Sequence, residues 1–185
     1  MNKIRVWLVL GIGLTGLFLT PIVIAEECKI LVEDLDVESG KNINVPIKIE
    51  NGVNAGSLDL TLTFDPSIVS IENVLDGDFD TTVANMEDRA NGSVRIGAFQ
   101  TTNNGLDGDF VVATVVFTVI GSTGESTNFC LFVETLKDAS PACSIIPYCI
   151  KNGTLTIYRS PPGNGGGSSR TRYITPTSTP APSSG

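Results

Sequence analysis

Short runs of alternating apolar and polar residues dominate the chain between residues 29 and 158. In one run, Val45, Ile47 and Ile49 occupy every second position, and the same repeat recurs at 58–64, 94–98 and 129–133. A period of two is the side-chain repeat of a β-strand with one buried and one solvated face. Glycine, asparagine, aspartate and proline separate the runs, as is typical of turns. The pattern therefore predicts β-structure.

The runs and their breaks predict nine strands, at residues 29–35, 42–50, 55–64, 68–74, 80–86, 92–100, 109–120, 128–135 and 152–158. Residues 110–120 are apolar at both parities, which is typical of a central strand covered on both faces. Only 80–88 and 137–148 leave room for a short helical turn. Many short strands separated by turns predict a single all-β domain, a sandwich or a closed barrel.

Both ends of the chain depart from this pattern. Lys3 and Arg5 precede an apolar stretch at 6–24 that is followed by Ala25, the layout of a secretory signal peptide at residues 1–25. Residues 159–185 are rich in glycine, serine, proline and threonine, which predicts a disordered linker. The folded domain is then expected at residues 26–158. We expect contact with a membrane only through the signal segment or through a membrane anchor that follows the linker. A second domain after the linker is the alternative to such an anchor.

Composition excludes several kinds of function. Residues 26–158 carry 20 acidic and seven basic side chains, a net charge of −13, which disfavours nucleic-acid binding. The chain has no histidine, so Ser-His-Asp and Cys-His catalysis and histidine-ligated metals are excluded. The one tryptophan, Trp7, lies in the signal segment, which leaves few rings to stack on a sugar. We therefore predict a protein that is not an enzyme and that needs no cofactor.

Three local patterns allow more than one interpretation. Cys28, Cys130, Cys143 and Cys149 form an even set, which predicts two disulfides in an exported chain with the pairing left open. The sequons at 91–93 and 152–154 fit glycosylation, but Asn-Gly is also a preferred hairpin turn, and we favour the turn at both.

The third pattern is an aspartate series with the spacing of a calcium loop. Asp76, Asp78 and Asp80 occupy its positions 1, 3 and 5, and Glu87 its position 12. Thr81 stands where such a loop requires glycine. Solvated loop aspartates are therefore the favoured interpretation, with calcium as the alternative.

Several longer segments, taken in order, resemble a cohesin domain. They are the strand Val45-Pro46-Ile47, the strand that ends in Phe64-Asp65-Pro66, the segment Asp107-Gly108-Asp109-Phe110, and the closing strand at 152–157. The resemblance covers about residues 29–158. It implies a nine-stranded jelly-roll β-sandwich, close in fold to some carbohydrate-binding modules, whose function is to bind a dockerin module or another surface protein.

The resemblance also implies where the partner binds, because cohesins use their third, fifth, sixth and eighth strands. By position, the predicted contacts are Ser57, Asp59, Met86 with Asn85 as its alternative, Arg95 and Thr101. Alternation independently points Ser57 and Asp59 outward. On the eighth strand, alternation places Phe132 on the outward side, where its ring would add an apolar contact. The alternatives are that the register is shifted by one residue or that a loop covers the ring.

The family topology further implies a cysteine pairing. Its first and last strands run parallel and adjacent, which favours Cys28–Cys149 and leaves Cys130–Cys143 to close the connection between the last two strands. Cys28–Cys130 with Cys143–Cys149 is the alternative.

Taken together, these observations predict a secreted or cell-surface module that binds a dockerin-type module or another envelope protein. The alternative is a carbohydrate-binding module or a structural, adhesive part of the cell envelope.

Overall fold

The computed structural model describes residues 26–159. Its strands are β1 Lys29–Leu31, β2 Leu35–Glu38, β3 Asn42–Thr63, β4 Val69–Asp76, β5 Thr81–Asn85, β6 Ser93–Phe99, β7 Leu106–Val119, β8 Ser126–Asp138, β9 Cys149–Lys151 and β10 Gly153–Tyr158, and a 3-10 helix lies at Glu87–Asn91. The predicted signal peptide and residues 160–185 of the predicted linker lie outside the described residues.

Between residues 26 and 159, no helix has the length and apolar character needed to cross a membrane.

The longest strand, β3, takes part in two sheets. Its first half, residues 42–50, pairs with β7 and β1, and its second half, residues 55–63, pairs with β6 and β8. The back sheet thus has the order β4-β7-β3-β1-β9, and the front sheet has the order β5-β6-β3-β8-β10-β2. All pairs are antiparallel except β1 with β9 and β2 with β10.

Between its two halves β3 bends at residues 51–54. Asn51 and Asn54 have φ angles of 55° and 50°, in the left-handed region that asparagine tolerates better than most residues. The Asn51 N–H donates to Asp109 Oδ1 at 3.0 Å, and the Asn54 N–H donates to Asp107 Oδ1 at 2.7 Å. The aspartates of the Asp107-Gly108-Asp109 segment therefore hold this corner of the chain.

The predicted alternation is confirmed as the core pattern. Every second residue of the runs in β3 and β6 is buried, namely Val45, Ile47, Ile49, Leu58, Leu60, Leu62, Val94, Ile96 and Ala98. Phe117 of the back sheet lies with its ring centroid 5.2 Å from that of Phe129 in the front sheet, so the two sheets face each other across one core. Burial of apolar surface from both sheets is the main stabilising contribution.

The observed strands differ from the nine predicted ones in three places. The predicted strands 42–50 and 55–64 are one continuous β3. The predicted strand 29–35 ends early, as β1, and β2 begins only at its last residue. The short strand β9 has no predicted counterpart. The prediction that 110–120 is covered on both faces is wrong. Val111 and Val116 are only partly buried, because one side of β7 faces away from the core. The alternation shifts by one residue at Val112 and Ala113, which are both buried, where the register against β3 shifts between Ile47 and Lys48.

The end of β4 is fitted closely against β7 at Gly77. The Asp78 N–H donates to the Val111 carbonyl at 2.8 Å, and the Val111 N–H donates to Asp78 Oδ2 at 2.6 Å. A Cβ atom on Gly77 would overlap the Val111 carbonyl oxygen. In contrast, a Cβ atom on Gly97 in the middle of β6 would meet no heavy atom within 4 Å.

We predict that Gly77→Ala lowers the free energy of unfolding by at least about 2 kcal/mol, because the added methyl group displaces backbone. Gly97→Ala is the matched control, and it should leave stability unchanged or raise it by up to about 1 kcal/mol. Urea unfolding of both variants measures the difference. Equal unfolding midpoints would contradict the close packing described at Gly77.

Candidate protein-binding face

The outward side of four adjacent strands forms the most distinctive surface of the domain, and we call it the front face. It comprises β5, β6, residues 55–63 of β3, and β8, in that order. Because Leu58, Leu60 and Leu62 point into the core, the residues between them point outward. The same alternation on β6 turns Arg95, Gly97 and Phe99 outward.

Strand register arranges these outward residues in three rows across the face. The rows are Thr81-Phe99-Ser57-Lys137, Val83-Gly97-Asp59-Thr135 and Asn85-Arg95-Thr61-Phe132. Residues in one row lie on neighbouring strands, within side-chain reach of each other.

A cation bound by two carboxylates occupies the middle of the face. Arg95 Nε and Nη2 donate to Asp59 Oδ1 and Oδ2 at 3.0 and 2.6 Å, and Arg95 Nη2 also donates to Glu134 Oε2 at 2.7 Å. The hydrogen bonds from Arg95 lower the pKa of Asp59, although partial burial opposes this effect. Asp59 in turn raises the pKa of Arg95, with a smaller contribution from Glu134. The arginine is therefore fixed in position, and the cluster has a net negative charge.

A β-bulge places Glu134 in this cluster. Asp59 pairs with Thr135 and Leu60 pairs with Val133, so Glu134 is an extra residue between two consecutive pairs. The extra residue shifts the alternation of β8 and lets Glu134 reach Arg95 across β3, which lies between β8 and β6. Strict alternation along the sequence could not have predicted this contact.

Apolar side chains flank the charged cluster. Val83 and Phe132 are each 59% exposed and Phe99 is 42% exposed, which is high for side chains of this size. At Gly97, between Val83 and Asp59, the face has no side chain and a partner can approach the backbone. A surface with exposed apolar groups around fixed charges suits recognition of a protein.

The structure brings four of the predicted contact residues together on the front face, namely Ser57, Asp59, Arg95 and Phe132. The ring of Phe132 is exposed, so neither of the two alternative interpretations applies to it.

Two other predicted contacts have different surroundings. Met86 is partly buried and packs against the core, so Asn85, its alternative, is the residue that lies on the face. Thr101 follows the end of β6, and both its N–H and its hydroxyl donate to Asp80 Oδ2 at 2.8 Å. Its side chain is therefore engaged within the domain.

Sequence reasoning missed Val83, Phe99 and Glu134. Val83 and Phe99 lie at outward positions of predicted strands, so the alternation of apolar and polar residues could have identified both. Glu134 had no such signal, because the bulge that places it is not evident in the sequence.

The cysteines are unbridged thiols. The first and last parts of the domain do run parallel and adjacent, as the family topology implied, and the Cys149 N–H donates to the Cys28 carbonyl at 2.9 Å. Burial raises the pKa of the Cys28 thiol, and the nearby Cys149 raises it further. The Cys28–Cys149 bond stays a prediction that this proximity supports.

The predicted Cys130–Cys143 bond is wrong for this fold. The Cys143 N–H donates to the Ser140 carbonyl, and the Asp138 N–H donates to the Ser144 carbonyl, so Cys143 lies near the end of β8. Cys130 lies eight residues before Asp138 on the same strand. At roughly 3.3 Å per residue, Cys130 is more than about 20 Å from the end of β8. A disulfide requires Cα atoms within about 7 Å.

The predicted calcium ligands do not form a site. Asp78 accepts the Val111 N–H, Asp80 accepts from Thr101, Asp76 ends β4, and Glu87 begins the 3-10 helix. Within the part of the chain that the structure describes, no group of three or more acidic or cysteine side chains is arranged to hold a metal ion. Asp78 and Asp80 instead accept backbone N–H groups from neighbouring segments.

Comparison with known proteins agrees with this geometry. A model of the cohesin domain matches residues 28–157. A non-cellulosomal cohesin from Archaeoglobus fulgidus has 24% identity and a TM-score of 0.63, over 72% of this chain and 93% of that chain. The OlpA cohesin of Clostridium thermocellum, solved in complex with a dockerin, has 15% identity and a TM-score of 0.62, over 71% of this chain and 99% of that chain. At these identities the likeness shows a shared fold.

A ScaB type I cohesin from Pseudobacteroides cellulosolvens is similar to the same extent, with 17% identity and a TM-score of 0.63 over 74% of this chain and 95% of that chain. No curated protein matches the chain.

We predict that Arg95→Gln raises the pKa of Asp59 towards the ordinary value of about 3.9, because the carboxylate loses its charged donor. In the native protein Asp59 should keep its charge to lower pH, so the stability that the pair contributes is present above about pH 4 and is lost as the pH falls through the lowered pKa. Carboxyl ¹³C NMR titration measures the change. Asp65, whose pKa is lowered by Ser67, is the internal control and should not shift. An unchanged Asp59 pKa in the variant would contradict the described ion pair.

Proposed function

The chain belongs to the cohesin domain family, and on that basis we propose that its folded body is a non-catalytic module that binds a dockerin-type protein through the front face. The observation that carries this proposal is that the four strands assigned to partner binding by the family resemblance lie side by side. Their outward residues form one continuous surface. Cohesin structures similar to this chain include complexes with dockerins, such as OlpA with its dockerin.

The composition of the front face supports a protein partner. Protein interfaces are typically anchored by a few apolar or aromatic side chains, with polar groups arranged around them to give specificity. Phe132 and Val83 are exposed anchors on opposite sides of the face. Between them, Arg95 is already paired with Asp59 and Glu134, so a partner need not supply its counter-ion.

The net charge of the domain, rather than of the front face itself, favours a basic partner. Residues 26–158 carry a net charge of −13. The charges named on the front face balance, with Asp59 and Glu134 against Arg95 and Lys137, so the excess negative charge lies on the rest of the domain. Complementary charge speeds association and disfavours acidic competitors.

The arrangement of rings favours protein over polysaccharide. Phe99 is opposite Ser57 on one side of β3, and Phe132 is opposite Thr61 on the other side. The two rings are therefore separated along and across the strand and do not form the flat platform that stacks on consecutive sugars. A polysaccharide ligand remains the alternative outcome of the experiment below.

The organisation proposed for the whole chain follows from the sequence. We propose that residues 1–25 direct export, that the binding domain occupies residues 26–158, and that residues 159–185 act as a spacer. An extracellular or cell-surface location then places the front face where a secreted partner can reach it.

We predict that the full chain captures at least one dockerin module from an array, and that Gly97→Arg abolishes this capture. The array contains every dockerin encoded by the genome of origin and the dockerin partner of OlpA. A Cβ atom at Gly97 meets no heavy atom within 4 Å, so the new side chain begins in open space and projects from the face. Phe132→Ala should weaken capture at least about tenfold, as expected for loss of an apolar anchor. Surface plasmon resonance with immobilised dockerins provides the measurement.

Ile120→Arg is the matched control, because Ile120 is exposed and follows β7 of the back sheet. It should bind as the wild-type chain does. Capture of no dockerin by the wild-type chain would contradict the proposed function. Retardation in a polysaccharide gel would then support the carbohydrate-binding alternative. Undiminished capture by the folded Gly97→Arg variant would show that the partner uses another surface.

A further inference from the structure

We propose that Asn91 is an acceptor for an N-linked glycan, whereas Asn152, in the second sequon, has a structural role. Both residues lie in the sequon pattern Asn-Gly-Ser or Asn-Gly-Thr, and the sequence alone does not distinguish them. The structure does, because it gives each of the two asparagines different contacts. This inference is independent of the binding partner.

Asn152 is exposed, but the fold engages its side-chain oxygen and the threonine of its sequon. Its Oδ1 accepts the Leu131 N–H at 2.9 Å, which fixes the point where β9 ends and β10 begins beside β8. The Thr154 N–H donates to Asp34 at 2.8 Å, and the Thr154 hydroxyl bonds to Asn128 at 3.2 Å. The carboxamide oxygen and the hydroxyl that define this sequon are therefore both used inside the domain.

Asn91 has much weaker contacts. It is exposed at the end of the 3-10 helix, and its Nδ2 makes a single hydrogen bond, to Asp88 Oδ1 at 3.4 Å. That distance is at the outer limit for a hydrogen bond. Within residues 26–159, no side-chain hydrogen bond engages the Ser93 hydroxyl. The asparagine of this sequon is thus exposed with one weak contact, and its partly exposed serine hydroxyl is not engaged by another side chain.

The turn geometry explains the glycine of the first sequon but not its asparagine. Gly92 has a φ angle of 76°, and a Cβ atom there would overlap the Phe64 carbonyl oxygen. The Phe64 N–H also donates to the Gly92 carbonyl at 2.9 Å. These constraints fall on Gly92 alone. The fold therefore does not require an asparagine at position 91, whereas it uses the one at position 152.

The modification is a group transfer from a lipid-linked sugar pyrophosphate, the co-reactant that this proposal requires. The Nδ2 atom of Asn91 forms a bond to the anomeric carbon of the sugar while the bond from that carbon to the phosphate oxygen breaks. The lipid pyrophosphate leaves with the electron pair, and the displaced amide proton passes to a base of the transferase. The product is a neutral glycosyl amide on the surface of an exported protein.

The sugar would border the front face. Asn91 is two residues before Ser93, where β6 begins, and Ser93 lines a shallow depression together with Asp88, Asn85 and Arg95. The glycan would thus lie at the end of the face that carries the 3-10 helix, away from Phe99 at the other end of β6.

The test is transfer of sugar to the folded full chain by a purified single-subunit oligosaccharyltransferase with a lipid-pyrophosphate-linked chitobiose donor. Intact mass and glycopeptide sequencing should show one added glycan, at Asn91. Asn91→Gln and Ser93→Ala should each abolish the addition, whereas Ser93→Thr, which retains a hydroxyl, should preserve it. Thr154→Ala removes the second sequon without changing Asn152 and should have no effect.

Two synthetic peptides, covering residues 87–97 and 148–158, serve as unfolded references, and both should be glycosylated. If the peptide that contains Asn91 is glycosylated while the folded chain is not, the proposal is wrong. Transfer to Asn152 in the folded chain would overturn it equally, because it would show that the contacts of Asn152 do not protect that sequon.

Discussion

Where β3 passes from the back sheet into the front sheet, the backbone N–H groups of Asn51 and Asn54 do not bond to a neighbouring strand's backbone. They donate instead to the carboxylates of Asp109 and Asp107. Backbone N–H groups in a folded domain need hydrogen-bond partners, and a strand that changes sheets loses its ladder partners at the bend. The two aspartates supply the missing acceptors. One strand can therefore bury Val45 and Ile47 from one sheet and Leu60 from the other in a single core.

The same corner determines which surface is available for binding. Once β3 has turned, residues 55–63 lie between β6 and β8, and the outward side chains of three strands come into register. Arg95 then reaches Asp59 on one neighbouring strand and Glu134 on the strand beyond it. The back sheet receives the other half of β3, and its ion pairs, Lys29–Glu50 and Lys48–Glu33, each join one lysine to one carboxylate. The fold thus gives the two sheets different outer surfaces, although both contribute to one core.

Local periodicity predicted the core because burial enforces it residue by residue. Leu60 and Ile96 are buried since their strands have one apolar side, and this property can be recognised within a few residues of sequence. The corner could not be predicted in this way. It depends on Asp107 and Asp109, which are more than 50 residues from Asn54 and Asn51 along the chain. Local patterns consequently gave two strands where the chain forms one.

The errors in the site have similar physical causes. Glu134 joins the charged cluster through a bulge, which strict alternation cannot represent. Met86 was assigned to the face by position, but the strand ends at Asn85 and the next residue turns towards the core. The Cys130–Cys143 pairing was implied by the family topology, as a bond closing the connection that follows β8. The strand continues to Asp138 and moves the following loop away from Cys130.

Hydrogen–deuterium exchange of the chain, with and without a captured dockerin, tests the central claim most directly, because it reports which sheet the partner covers. The account predicts slower amide exchange in β5, β6, residues 55–63 of β3 and β8, with no change in β4, β7 or residues 42–50 of β3. Both halves of β3 are measured in the same sample, so each serves as the reference for the other. Slower exchange confined to β4, β7 and residues 42–50 would contradict the account, since the partner would then bind the back sheet.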